Sequence, residues 1–148
     1  MTIANSTATD EALIRDIVHG WANAIRKKDT DALMSNFAPD ALIFDLINPL
    51  QYAGADAGRK RAEQWLSAFQ GPIEYEVRDL TVSAGDDVAF CHSLNRVNGT
   101  TKDEKKIDMW WRATVCFRKL NDKWMVTHEH SSVPFDVESG KASLDLKP

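Results

Sequence analysis

Residues Ile107–Pro134 limit what this chain can fold into more than any other stretch. A run from Ile107 to Leu120, dense in β-branched and aromatic side chains, meets Asn121-Asp122, and Trp124 to Pro134 then continues in the same character. Asparagine and aspartate tolerate the backbone of a tight reversal, so the stretch predicts two central antiparallel strands joined by a two-residue turn. With Asn121 and Asp122 as the loop, Leu120 faces Lys123. Unbroken pairing then sets Val115 opposite His128, Ala113 opposite His130 and Trp111 opposite Ser132. Side chains alternate, so both histidines share the face of Trp111. The other face carries Arg112, Thr114 and Cys116 beside Met125, Thr127 and Glu129, where Glu129 is expected to pair with Arg112 as a diagonal neighbour.

The residues before this hairpin read mainly as helix. Thr9 ahead of Asp10 and Glu11 has the chemistry of a helix start, and Ile14, Ile17, Val18, Trp21 and Ile25 follow at helical spacing. Asp29-Thr30-Asp31 opens a short second helix with Leu33, Met34 and Phe37 inward, ending by Pro39. The apolar run Ala41–Ile47 is too short for another helix and predicts a strand carrying one acid, Asp45. Beyond Asn48-Pro49 and a loop with Gly54 and Gly58, a third helix presents Ala62, Trp65, Leu66 and Phe69 and stops at Gly71-Pro72. Alternation then resumes from Ile73, shifts phase at Asp79 as a bulge would, and turns at Ala84–Asp87 into Val88–Val97.

The order helix, helix, strand, helix and four strands predicts an α+β fold. A strongly curved, mainly antiparallel sheet, capped on one face by three N-terminal helices, encloses a cone whose interior is the natural pocket. One domain is expected over residues 9–136, between a flexible lead over 1–8 and a polar tail over 137–148. At 148 residues the chain is long enough to bury a single core. A net charge of −4 without a basic stripe argues against nucleic-acid binding. Arg59-Lys60-Arg61 reads as a solvated face. The start lacks a signal-peptide pattern and no apolar run reaches membrane-span length, so the expected compartment is the cytoplasm. Cys91 and Cys116 lack metal-ligand spacing and are expected to be free thiols.

Several of these residues carry a family resemblance. The helix-one aromatic Trp21 before the Lys28-Asp29 link, Phe37-Ala38-Pro39-Asp40-Ala41 leading into the acid-bearing strand, and Trp124 to Pro134 resemble the nuclear transport factor 2-like superfamily, in particular its SnoaL-like and ketosteroid isomerase-like branch. The last motif also resembles the association domain of calcium/calmodulin-dependent kinase. The resemblance covers roughly residues 9 to 134. It implies the cone-shaped, cystatin-like architecture, which hosts isomerases, cyclases, dehydratases and non-catalytic binders. It places Asp45 at the general-base aspartate of ketosteroid isomerases, Trp21 at the tyrosine that donates to the oxyanion, and Val115 near the protonated aspartic acid that serves as a standard example of a carboxylic acid kept neutral. Valine cannot donate a hydrogen bond, and an indole is a weaker acid than a phenol. Steroid isomerisation by that mechanism is therefore not expected.

The resemblance also turns the face of His92, Leu94 and Arg96 into the cone. The candidate catalytic residues are then Asp45, His128 and His130, and the candidate ligand contacts are Trp21, Trp65, His92, Arg96 and Trp111. A buried carboxylate beside an imidazole suits proton transfer on a small polar or anionic molecule, with Arg96 as its fork of donors. Each has a structural alternative. Asp45 caps the Asn48-Pro49 turn, the histidines bond the backbone, Arg96 pairs with Asp103 or Glu104, and the tryptophans are core. No metal or cofactor is called for. The apolar outer sheet face, with Trp110, Cys116 and Met125, predicts a homodimer burying on the order of 1,600 Å² or more.

Overall fold

The computed structural model of the protein describes residues 3–148, with side chains from residue 8 onward. The elements are α1 (Ile3–Arg26), α2 (Thr30–Met34), β1 (Phe37–Phe44), β2 (Tyr52–Ala53), α3 (Ala55–Ser67), β3 (Phe69–Ala84), β4 (Val88–Thr101), β5 (Lys106–Leu120) and β6 (Lys123–Ser132). They build a curved, unclosed sheet in the order β2-β1-β6-β5-β4-β3. Its ladders are antiparallel except for β1 against β6. This is the expected α+β cone, with a short extra strand at its edge.

Of the lead expected over residues 1–8, residues 1–2 lie outside those described, and the chain is helical from Ile3. Because α1 starts before Thr9, Asp10 is not a first-turn acid. It lies inside the helix, buried, and accepts hydrogen bonds from the Trp124 indole at 3.0 Å and the Lys119 ammonium at 3.2 Å. That triad ties the opening helix to the β5–β6 hairpin. The second helix begins as expected, with the Asp29 side chain capping Ala32 N–H at 3.0 Å.

Pro39 does not close α2; it sits within β1. The β1–β6 pairing slips between Phe37 and Leu42, so no ladder bond is asked of the proline nitrogen. Gly71-Pro72 likewise lies inside β3, where pairing with β4 is interrupted between Gln70 and Glu74. The bulge expected at Asp79 is present: its φ is 56°, and the register shifts between Arg78 and Thr81.

The hairpin turn forms where expected. Leu120 faces Lys123, and Asn121 and Asp122 both hold positive φ, at 51° and 64°. A β-branched residue resists that conformation, so Asp122→Val is expected to cost about 1 kcal/mol, read as a shift of the urea midpoint at constant slope.

Further from the turn the register departs from expectation. Phe117 pairs with Val126, but Cys116 pairs with His128, leaving Thr127 as an extra residue. This bulge makes Val115 the partner of Glu129 and Ala113 the partner of Ser131. Because side chains alternate strictly, every residue of β6 beyond Thr127 faces the opposite way from an unbroken ladder.

Candidate ligand-binding cavity

The inner face of the sheet and the three helices enclose a cavity of about 180 Å³. An engineered protein cavity of about 150 Å³ holds benzene. The space therefore fits a molecule of roughly one ring. Trp65 and Trp111 meet edge to face at 6.4 Å along its wall, and Tyr75 meets Trp111 at 5.8 Å. Two apolar clusters flank it, one around Ile14, Phe117 and Val126, the other around Ile25, Phe69 and Val97.

Asp45 lies one residue past β1 and lines the cavity. Helix α3 comes close to β1 because Gly58 has no side chain: a Cβ there would meet Ile43 Cδ1 at 2.6 Å. One turn on, Arg61 reaches over the cavity and donates from Nε to Asp45 Oδ2 at 2.8 Å. The other Asp45 oxygen accepts from the Leu46 N–H at 2.6 Å. Asp45 is thus held as one half of an ion pair and does not cap the Asn48-Pro49 turn. Among the described residues, nothing accepts from Arg61 Nη1 or Nη2.

Opposite this pair, the bulged register turns Glu129 inward. It sits beside Ile43 on β1 and Val115 on β5, both apolar, and its side chain lines the cavity. Among the described residues its carboxyl has no hydrogen-bond partner. Enclosure by protein, and then the nearby charge of Asp45, push its pKa up from 4.5 to about 7. The residue is half-buried, and its carboxyl oxygens keep some accessible surface.

On β4 the inward residues include Cys91, Ser93 and Asn95. The Ser93 hydroxyl donates to Asn95 Oδ1 at 2.7 Å, and Asn95 lies near Tyr75. Burial, then Glu129, raises the Tyr75 pKa, and Asn95 offsets part of that rise. Burial also pushes the Cys91 thiol up to about 12, which leaves it inert as a nucleophile near neutrality.

The candidate residues therefore separate into two groups. Asp45, Trp21, Trp65 and Trp111 line the cavity. Trp21 presents its ring, stacked on Phe117 at 6.1 Å, while its Nε1–H is sealed from open space and has no acceptor among the described residues. His128, His130, His92 and Arg96 do not line it.

The Thr127 bulge rotates both β6 histidines to the outer face. There His128 Nδ1–H donates to the Leu42 carbonyl at 2.7 Å, and both rings pack edge-on against Phe44, at 4.7 and 5.3 Å. His92 and Arg96 point outward because β4 runs in the opposite phase, with Cys91, Ser93, Asn95 and Val97 inward. Arg96 holds Asp108 through both carboxylate oxygens, at 2.7 and 2.8 Å, rather than Asp103 or Glu104. Glu129 does not pair with Arg112, whose Nε donates to Ser132 Oγ at 3.1 Å. Arg61, expected on a solvated face, belongs to the cavity.

A family model for the SnoaL-like domain matches residues 14–136. No curated protein matches the chain. Among solved structures, a nuclear transport factor 2-like protein of unknown function from Pseudomonas putida KT2440 is 36% identical. The match covers 96% of this chain and 99% of that one, with a TM-score of 0.87. A ketosteroid isomerase-like protein from Erwinia carotovora atroseptica is 17% identical over 83% of this chain and 95% of its own, with a TM-score of 0.70. A protein with a cystatin-like fold from Nostoc punctiforme PCC 73102 is 19% identical over 86% and 93%, also with a TM-score of 0.70. The last two show likeness of fold alone. Among the described residues, no helix is long and apolar enough to cross a membrane.

Proposed function

Because the chain belongs to the SnoaL-like domain family, we propose that its cavity binds a small ligand and moves a proton on it without a cofactor, as an isomerase, cyclase or dehydratase does. The observation that carries this reading is Glu129: a half-buried carboxyl on the cavity wall, unpartnered among the described residues, with its pKa raised to about 7. A general base works best when its pKa lies near the working pH, because it is then both available and strong enough. Glu129 as carboxylate takes a proton from a carbon next to a carbonyl, the electron pair passes to the carbonyl oxygen, and the resulting acid returns the proton at another atom. Asp45 and Arg61, locked together, set the charge around that step rather than carrying the proton.

One observation favours a binding-only reading: both oxygens of Asp45, the acid expected to serve as the base, are committed to Arg61 and the Leu46 N–H. Small cyclic ketones in D₂O separate the two. A ketone that binds should exchange the hydrogens beside its carbonyl, seen by NMR. Glu129→Gln should slow that exchange by about 100-fold or more while the fold is kept. A ketone that binds in the cavity but exchanges no faster than in buffer selects the binding-only reading.

A further inference from the structure

We infer that the natural ligand is a planar monocarboxylate of about one ring, its carboxylate on the free Nη1 and Nη2 of Arg61 and its ring against Trp65 and Trp111. This rests on the reading of the cavity as a ligand site and adds the substrate class. Arg61 commits only Nε to Asp45, so the end of its fork, the edge that a carboxylate engages with two parallel hydrogen bonds, has no acceptor among the described residues. The Arg61 side chain is 19% exposed and lines the cavity. Neither Nη is sealed from open space, so the free edge is open to an acceptor brought by a ligand. The walls are aromatic and the volume is about 180 Å³, close to what a single ring occupies.

Charge sets the limit on the ligand. Asp45 and Arg61 already cancel, so a monoanion leaves one excess negative charge and a phosphate dianion leaves two. A monocarboxylate is held most tightly when Glu129 carries its proton, and the step that takes a proton from the ligand belongs to the smaller share of complexes in which Glu129 is ionised. The titratable groups facing Glu129 are Asp45 on the segment after β1, Arg61 on α3, Tyr75 on β3 and Cys91 on β4. Tyr75 and Cys91 both stay protonated through neutrality, and Asp45 and Arg61 stay paired. Binding therefore couples to the protonation of Glu129 alone.

The test is titration of the full chain with benzoate and with benzamide, its neutral counterpart of the same shape, followed by tryptophan fluorescence and by NMR shifts of cavity residues. At pH 6 benzoate should bind at least ten times more tightly than benzamide. Its affinity should fall toward tenfold per pH unit above pH 7, and Glu129→Gln should flatten that fall. Arg61→Gln should erase the preference for benzoate, with Arg61→Lys retaining part of it and serving as the check should the glutamine variant misfold. Benzamide binding as tightly as benzoate in the cavity overturns the carboxylate assignment while leaving the ligand site intact. Shifts confined to residues outside the cavity, or no binding of either compound, overturn the assignment too; the proton-transfer reading is then judged by its own exchange experiment.

Discussion

Replacing Glu129 by glutamine should flatten the dependence of stability on pH between about 4.5 and 7. In the folded chain this acid holds its proton up to about pH 7, whereas in the unfolded chain it releases it near 4.5. Across that interval the native state binds the extra proton, so stability falls as pH rises. The contribution is fully present below the unfolded value and is gone once pH has passed the folded one. A shift of this size corresponds to up to about 3 kcal/mol, lost on going from acid to mildly alkaline solution. Glutamine keeps the shape and cannot ionise, so urea midpoints of the variant at pH 5 and pH 8 should lie much closer together than those of the parent. Parallel pH profiles for the two proteins would show that the carboxyl is far better solvated than its enclosure implies.

Asp10→Ala should destabilise the fold by about 3 kcal/mol, because it strips one partner from a buried, charged hydrogen-bond network. The loss falls unequally on the two groups left behind. The Lys119 side chain is 28% exposed and can turn toward water, but Trp124 is 4% exposed and its indole N–H would have no acceptor. Asp10→Asn, which keeps an oxygen for the indole and removes the charge, should lose roughly half as much. Disruption of the exposed Lys105–Asp103 pair, with side chains 77% and 65% exposed, should change stability by less than about 0.5 kcal/mol. Chemical denaturation at one pH ranks the three. If Asp10→Ala behaved like the surface pair, the link between α1 and the hairpin would be geometric rather than energetic.

Features written in local chemistry were legible in the sequence. The Asn121-Asp122 reversal, the Asp29 cap and the Asp79 phase shift each rest on residues adjacent in the chain, and each is present. The order of elements followed from them, and with it the cone. Trp65, Trp111 and Asp45 reached the cavity because one helix face and one strand end were placed correctly.

What escaped depended on contacts between distant strands. Trp124 and Val126 face inward in simple alternation, and nothing in His128-Glu129-His130 marks that the count is reset at Thr127. The reset is settled where β6 must match β5 on one side and a parallel β1 on the other. On β4, the resemblance turned the face of His92, Leu94 and Arg96 inward, yet the cavity wall takes Ser93 and Asn95, which bond each other. Arg61 looked like one of three neighbouring surface cations. Only the approach of α3 permitted by Gly58 carries it over the cavity.

The extra residue at Thr127 also has a consequence for how such a chain diversifies. Gain or loss of a single codon in that strand would exchange an acid for a pair of imidazoles on the cavity wall, while the scaffold kept its shape. A small alphabet of insertions, and not only of substitutions, therefore lies open to selection as a means of changing what the cavity wall presents.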